Sequence, residues 1–374
     1  MTHAPALRSP LAALRRRARE LGALAVLLAL LAWCAAPAHA QGASKVRLGT
    51  LAPKGSSLYK SLQTMGEEWR RASDGQLSLQ IYADGSMGGE ADMVRRMRQG
   101  QINAGLLTAV GLADIEPEVS GLQSMPLMFR TLEEVDRVGA LLQPRLSASL
   151  ESKGFVVLFW IDVGWVRFFS KSAVRTPDEL RKLKLFTWSG SPEQVEIFKA
   201  TGFRPVPLET GDIVPAMQSG LIEAVVVPPI YALATQIDRS APHMLELNWA
   251  PLVGACVMTK KSWDAIPENV RERVLAAART AGDAIRASSR RESDQAVEAM
   301  QKRGLTVHKL TPEALMSWQE LERMTRKDVR GRIVPTATYD EVARTLEEFR
   351  AGAAANDGKE PKSAGETKSG GAAQ

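Results

Sequence analysis

Histidine and cysteine are nearly missing from this chain. Four histidines and two cysteines are spread over 374 residues, and only His243, His308 and Cys256 lie beyond the first forty positions. That scarcity excludes a disulfide-stapled scaffold and a multi-cysteine zinc or iron–sulfur centre. It leaves no neighbouring motifs from which to build a His-based metal cluster or a Ser-His-Asp set, so no catalytic and no metal residues are expected. The nucleotide-binding loops are missing too. Gly85-Ser86-Met87-Gly88-Gly89 precedes a helical pattern but lacks the P-loop Gly-Lys-Ser/Thr ending and the Rossmann glycine spacing. It reads as a plain turn or, at most, a weak anion cradle, and no cofactor is expected. After residue 40 no apolar run approaches the ~18 residues of a membrane span, so the processed chain is expected to be soluble.

What is present begins with a basic leader. Arg8, Arg15, Arg16, Arg17 and Arg19 precede an apolar run from Leu21 to Trp33, and Ala38-His39-Ala40 gives the small-x-small pattern of signal peptidase sites. Residues 1–40 are therefore expected to be a signal peptide cut after Ala40, sending the chain to the periplasm, with Sec and twin-arginine routes both open. Trp33 before Cys34 argues against lipoprotein processing. The leader also explains the formal charge of +6. It holds five Arg and one Glu, so the remaining 334 residues balance 43 basic against 41 acidic groups and carry only +2. Such a balance gives nucleic acid no electrostatic footprint, and none is expected as a partner.

The rest alternates strands and helices. Val46 and Leu48 alternate with polar residues, and Leu58, Leu62, Met65 and Trp69 then recur at spacings of four, three and four. Leu77, Leu79 and Ile81 form a second strand pattern, followed by a helix carrying Met93, Val94 and Met97. Further strands are expected at 102–107, 155–160, 183–188 and 222–227, with helices at about 132–153, from Pro177, at 192–200 and around 212–219. This rhythm is that of an open α/β sheet covered by helices, and a length above ~300 residues argues for two lobes. Residues 267–303 contain no internal proline and one glycine, Gly282. They read as one long helix shared by both lobes, or as two helices broken near Gly282. Residues 351–374 are rich in Gly, Ala, Ser, Lys and Glu and are expected to be a disordered tail.

The order of several motifs resembles one family. Gly88-Gly89-Glu90 with Met93-Val94, then Met125-Pro126-Leu127-Met128-Phe129, then Thr176-Pro177-Asp178-Glu179-Leu180 through Leu185 are similar to the periplasmic substrate-binding proteins of TRAP transporters, the DctP type. The likeness continues through Gly202 to Pro207, Met217 to Ala224 and Lys260 to Pro267. It implies a two-lobed periplasmic binding protein fold with a long helix bracing both lobes. It also implies a non-enzymatic receptor that closes over an organic ligand and delivers it to TRAP membrane permease subunits, with a further periplasmic partner protein left open. The expected division is 41–164 plus about 255–285 for lobe I and 165–254 plus about 286–350 for lobe II. The rival readings are a sensor-associated ligand-binding module, or an exported enzyme using Glu90, Glu209 or Asp212.

Departures from the family pattern shape the ligand expectation. Where the resemblance implies an arginine that forks onto a ligand carboxylate, this chain has Phe186, and where it implies an asparagine at the lobe seam there is Val227. A second family-type arginine corresponds to Arg167. A carboxylate enclosed without a cationic partner is left with an uncompensated desolvation cost of several kcal/mol. The expected ligand is thus apolar or amphipathic, or a monocarboxylate whose head meets Arg167. Phe186, Trp188, Val227, Pro228, Trp165 and Trp249 are its expected apolar contacts, and Leu51, Glu90 and Thr108 complete the expected site.

Overall fold

The computed structural model describes residues 44–357. The expected signal peptide, its cleavage point and the chain beyond residue 357 lie outside the described residues. Strand β1 (Ser44–Thr50) leads into helix α1 (Ser57–Ala72), whose first turn is capped by the Ser56 hydroxyl accepting from the Tyr59 N–H. The four-three-four spacing places Leu62, Met65 and Trp69 on the buried face. Strand β2 (Leu77–Tyr82), helix α2 (Glu90–Arg98) and strand β3 (Ala104–Thr108) follow, with β3 parallel to β1. Helix α3 (Leu132–Ser152) then leads to β4 (Phe155–Ser170).

The second lobe is built around β5 (Lys184–Trp188), helix α4 (Pro192–Ala200), β6 (Arg204–Leu208) and β7 (Ala224–Val227), with β5 parallel to both β6 and β7. Two long strands join the lobes. β4 has 16 residues rather than the expected six, and β8 (His243–Thr259) has 17. They pair antiparallel along their length, and β9 (Thr306–His308) adds to β8. The nine strands make one sheet in the order β2-β1-β3-β8-β4-β7-β5-β6, with β9 alongside β8. β3 pairs with the C-terminal end of β8, whereas β7 pairs with the C-terminal end of β4, so the two lobes share one ladder. Its register shifts between Asp162 and Trp165 and between Val166 and Phe168, where the chain crosses from one lobe to the other.

Helix α5 (Glu268–Gln301) is continuous for 34 residues, about 51 Å at 1.5 Å per residue. Gly282 does not break it. A Cβ there would lie 2.7 Å from three atoms of Phe159, so the glycine lets α5 press onto β4. Val270, Val274 and Ala278 of α5 sit in the core with Leu62 and Trp69, whereas Val297 and Met300 belong to the core with Phe186 and Val225. The long helix therefore braces both lobes. Arg290 on the same helix donates to both carboxylate oxygens of buried Asp162, at 2.9 and 2.8 Å, and to those of Asp136.

Two expectations need correction. The last helix, α7 (Thr336–Asp357), follows helix α6 (Pro312–Asp328) and carries Tyr339, Val342 and Leu346 at helical spacing into the core formed by Leu142 and Leu146 of α3. Residues 336–350 thus pack on the first lobe, not the second. Because that helix runs to Asp357, residues 351–357 are helical rather than tail. No helix among the described residues is long and apolar enough to cross a membrane.

Candidate functional site

A cavity of about 560 Å³ opens where strands of both lobes end. The final residues of β1, β3, β5 and β7, which are Thr50, Thr108, Trp188 and Val227, all line it. That is the position at which open α/β sheets bind ligands, outside the carboxyl ends of their strands. Leu51, Glu90, Pro228 and Trp249 line it as well. The rest of the wall is mostly aliphatic and aromatic, with Leu107, Ile161, Val163 and Ile230 among its members, and helices α4 and α6 add Ile197, Phe198 and Leu321.

Three expected residues are elsewhere. Phe186 is fully buried two residues short of the strand end and meets Trp188 edge-on, 4.8 Å between ring centroids. It supports the wall from behind without reaching it. Trp165 packs into the first-lobe core beside the lobe crossing. Arg167 lies near the C-terminal end of β4 opposite Val227, the last residue of β7, and its Nε donates to Asn248 Oδ1 at 3.3 Å. It is not among the residues that line the cavity, although Val166 before it and Val227 opposite it are.

Uncharged polar side chains, Gln123, Gln194 and Gln295 among them, interrupt the apolar wall, and two carboxyl groups join them. Glu90, in the first turn of α2, is half-buried, and the desolvation of its carboxyl pushes it above the ordinary range. Hydrogen bonds from Thr108 and the Gly111 N–H pull the other way. Glu90 Oε1 accepts from the Thr108 N–H (2.7 Å), and Oε2 accepts from the Thr108 hydroxyl (2.6 Å) and the Gly111 N–H (3.0 Å). A Cβ at Gly111 would come within 2.5 Å of Glu90 Cβ, so this approach requires glycine. Glu292, on α5, accepts from the Ser57 hydroxyl at 2.5 Å. Burial and the nearby Asp84 push the Tyr231 phenol up to about 12, so it stays protonated as a hydrogen-bond donor. Its Oη is 3.5 Å from the Thr210 carbonyl oxygen, a weak engagement.

Among the described residues, Glu90 and Glu292 are the only charged ones in the lining, and no lysine, arginine or histidine joins them. Glu292 and Tyr231 escape sequence reasoning. Glu292 sits in an Arg- and Glu-rich helix that looks like a solvated face, and its partner Ser57 is 235 residues away. The acidic candidates Glu209 and Asp212 are exposed and do not line the cavity. His243 and His308 contact each other, Nδ1 to Nε2 at 3.0 Å, at the β8–β9 pairing rather than in the cavity.

Known proteins agree with this architecture. The chain is 24% identical over 270 residues to the 2,3-diketo-L-gulonate-binding periplasmic protein YiaO of Escherichia coli, covering 71% of this chain and 81% of that one. It is 23% identical over 288 residues to the C4-dicarboxylate-binding periplasmic protein DctP of Rhodobacter capsulatus, covering 75% and 84%. Among solved structures, the sugar acid binding protein DctPAm of Advenella mimigardefordensis, in complex with galactonate, superimposes with a TM-score of 0.75 at 16% identity, over 82% of this chain and 98% of that one. A TRAP periplasmic solute-binding protein of Ralstonia eutropha, with bound (S)-2-acetolactate, gives 0.74 at 21% identity, over 81% and 99%. The family model of the bacterial extracellular solute-binding proteins, family 7, matches residues 48–328, and with the two-lobed sheet, the bracing helix and the cavity at the strand ends, this chain belongs to that family, DctP.

Proposed function

We propose that the protein is the exported solute receptor of a TRAP-type transporter. In this reading it encloses a largely apolar or amphipathic organic solute between its lobes and hands it to membrane permease subunits. It acts without catalysis, and export uses the signal peptide read at residues 1–40, cut after Ala40. The observation that carries the ligand class is the lining itself: Trp188, Val227, Pro228 and Trp249 line the cavity, and among the described residues no cationic side chain does. Each fully buried apolar contact is worth about 1.5 to 3 kcal/mol, whereas a carboxylate enclosed there would lack a charge partner. The absence of an arginine at position 186 is felt as an apolar wall, since Phe186 sets the edge against which Trp188 rests.

Thermal shifts of the purified protein test this. A panel of short dicarboxylates set against aromatic and medium-chain solutes should give larger stabilisation by the apolar members. Strong stabilisation by a C4 dicarboxylate alone would sink the apolar reading.

A further inference from the structure

The cavity has an electrostatic sign as well as an apolar wall. Glu292 reaches it from α5 with one hydrogen bond among the described residues, from the Ser57 hydroxyl, and no lysine, arginine or histidine lines the space it faces. Its surroundings differ from those of Glu90, whose two oxygens take three hydrogen bonds from Thr108 and Gly111. Enclosing a half-open carboxylate against apolar walls without a countercharge is costly, and breaking water contacts to do so costs more than one hydroxyl returns. A ligand that brings the missing positive charge removes that cost, whereas a carboxylate ligand adds a second uncompensated charge.

From this we propose that the solute is an apolar amine, positively charged at neutral pH and lacking a carboxylate, whose ammonium group pairs with Glu292 while its apolar body lies against Trp188 and Trp249. An ammonium has three donors and no acceptor, which suits a lining whose charged groups only accept. A quaternary or aromatic-stacked cation gains further from the indole faces. The proposal rests on the apolar-solute reading above, and narrows it in a direction opposite to the acids named for the similar proteins.

Calorimetric titration with two matched series tests it: phenylethylamine, phenylethanol and phenylacetate, then tryptamine, tryptophol and indoleacetate. The amine of at least one series should bind at least tenfold more tightly than its carboxylate. Glu292→Gln, which keeps a partner for Ser57, should weaken the amine at least tenfold and leave the alcohol unchanged, and Glu292→Asp should restore part of the preference. A carboxylate that binds as well as its amine overturns the proposal while leaving the apolar reading standing. An amine preference that survives Glu292→Gln in a variant melting with the wild type also overturns it. If no member of either series binds, the apolar reading falls together with the proposal.

Discussion

The Glu209 carboxylate rests on the bare Cα of Gly89, so that a Cβ added at Gly89 would collide with Glu209 Oε2. Gly89 caps α2 in the first lobe, and Glu209 follows β6 in the second, where the Ser189 hydroxyl donates to it. The two residues therefore form a contact between lobes at the edge of the cavity, with the acidic group near the positive end of a helix. Gly89→Ala should displace Glu209 and destabilise the protein by about 1 kcal/mol, while in a Glu209→Ala background the same change should cost nearly nothing. Urea melts of the four proteins in this cycle measure the coupling, and additive effects would show that the contact carries no energy.

Gly282 gives a sharper case. On propensity alone, Gly282→Ala in a helix should gain about 1 kcal/mol. Its added methyl would meet the Phe159 ring at 2.7 Å, a stiff neighbour in a buried seam. Overpacking of this kind costs ~1 to 3 kcal/mol, so the net effect should be a lowered melting temperature. A raised melting temperature would mean that α5 can lift off β4 at no cost.

The C-terminal helix is held by Arg350, which donates to both oxygens of Glu134, at 2.7 and 2.8 Å, and to the Met128 carbonyl oxygen. Burial alone would raise the Glu134 carboxyl, but the bonds from Arg350 and the Arg130 N–H hold it below the ordinary carboxylate range. The sign follows from linkage. The unfolded chain binds the proton more readily, so this stabilisation is complete above the ordinary carboxylate range and is lost as pH falls through the lowered folded value. Arg350→Met should cost ~3 kcal/mol at neutral pH, and much less in acid, where Glu134 is protonated in both proteins. Denaturation of wild type and variant at a series of pH values checks the convergence.

These relationships also mark what the sequence could and could not disclose. Helix α1 was readable because its period is local, and the Ala- and Arg-rich run of α5 because nothing in it stops a helix. β4 was readable only as far as Trp160. Asp162 and Gly164 then imitate a boundary, and the guanidinium that makes Asp162 tolerable belongs to Arg290, 128 residues later. β8 was hidden by Pro251 and Gly254, which look like turn residues. Both are accommodated in the ladder, Pro251 opposite Trp165 where the register shifts and Gly254 because a Cβ would lie 2.4 Å from the Leu107 carbonyl oxygen. In the site, the family likeness pointed to β5 and β7, whose final residues line the cavity, but residues i and i+2 of a strand share a face, and only depth along the strand decides which of them reaches the opening. Trp188 reaches the cavity and Phe186, two residues earlier, does not.

Cys256 offers a probe of global opening. It is fully buried in β8, and burial pushes its thiol far above the ordinary range. A thiol reagent at pH 8 should therefore leave Cys256 unmodified in the folded protein and react with it at once in denaturant. Rapid labelling of the native protein would show that β8 separates from its neighbours without global unfolding.

The shared ladder of β4 and β8 has a consequence for dissection. Three segments, β4, β8 and α5, run from one lobe into the other, and α7 returns to pack on the first. A gene cut near residue 165 would divide β4 and leave β8, α5 and α7 with the second fragment, so the first would keep β3 and half of β4 without the strand that pairs with both, an exposed edge that templates aggregation rather than an isolated module. Neither lobe should survive as an excised, separately expressed piece.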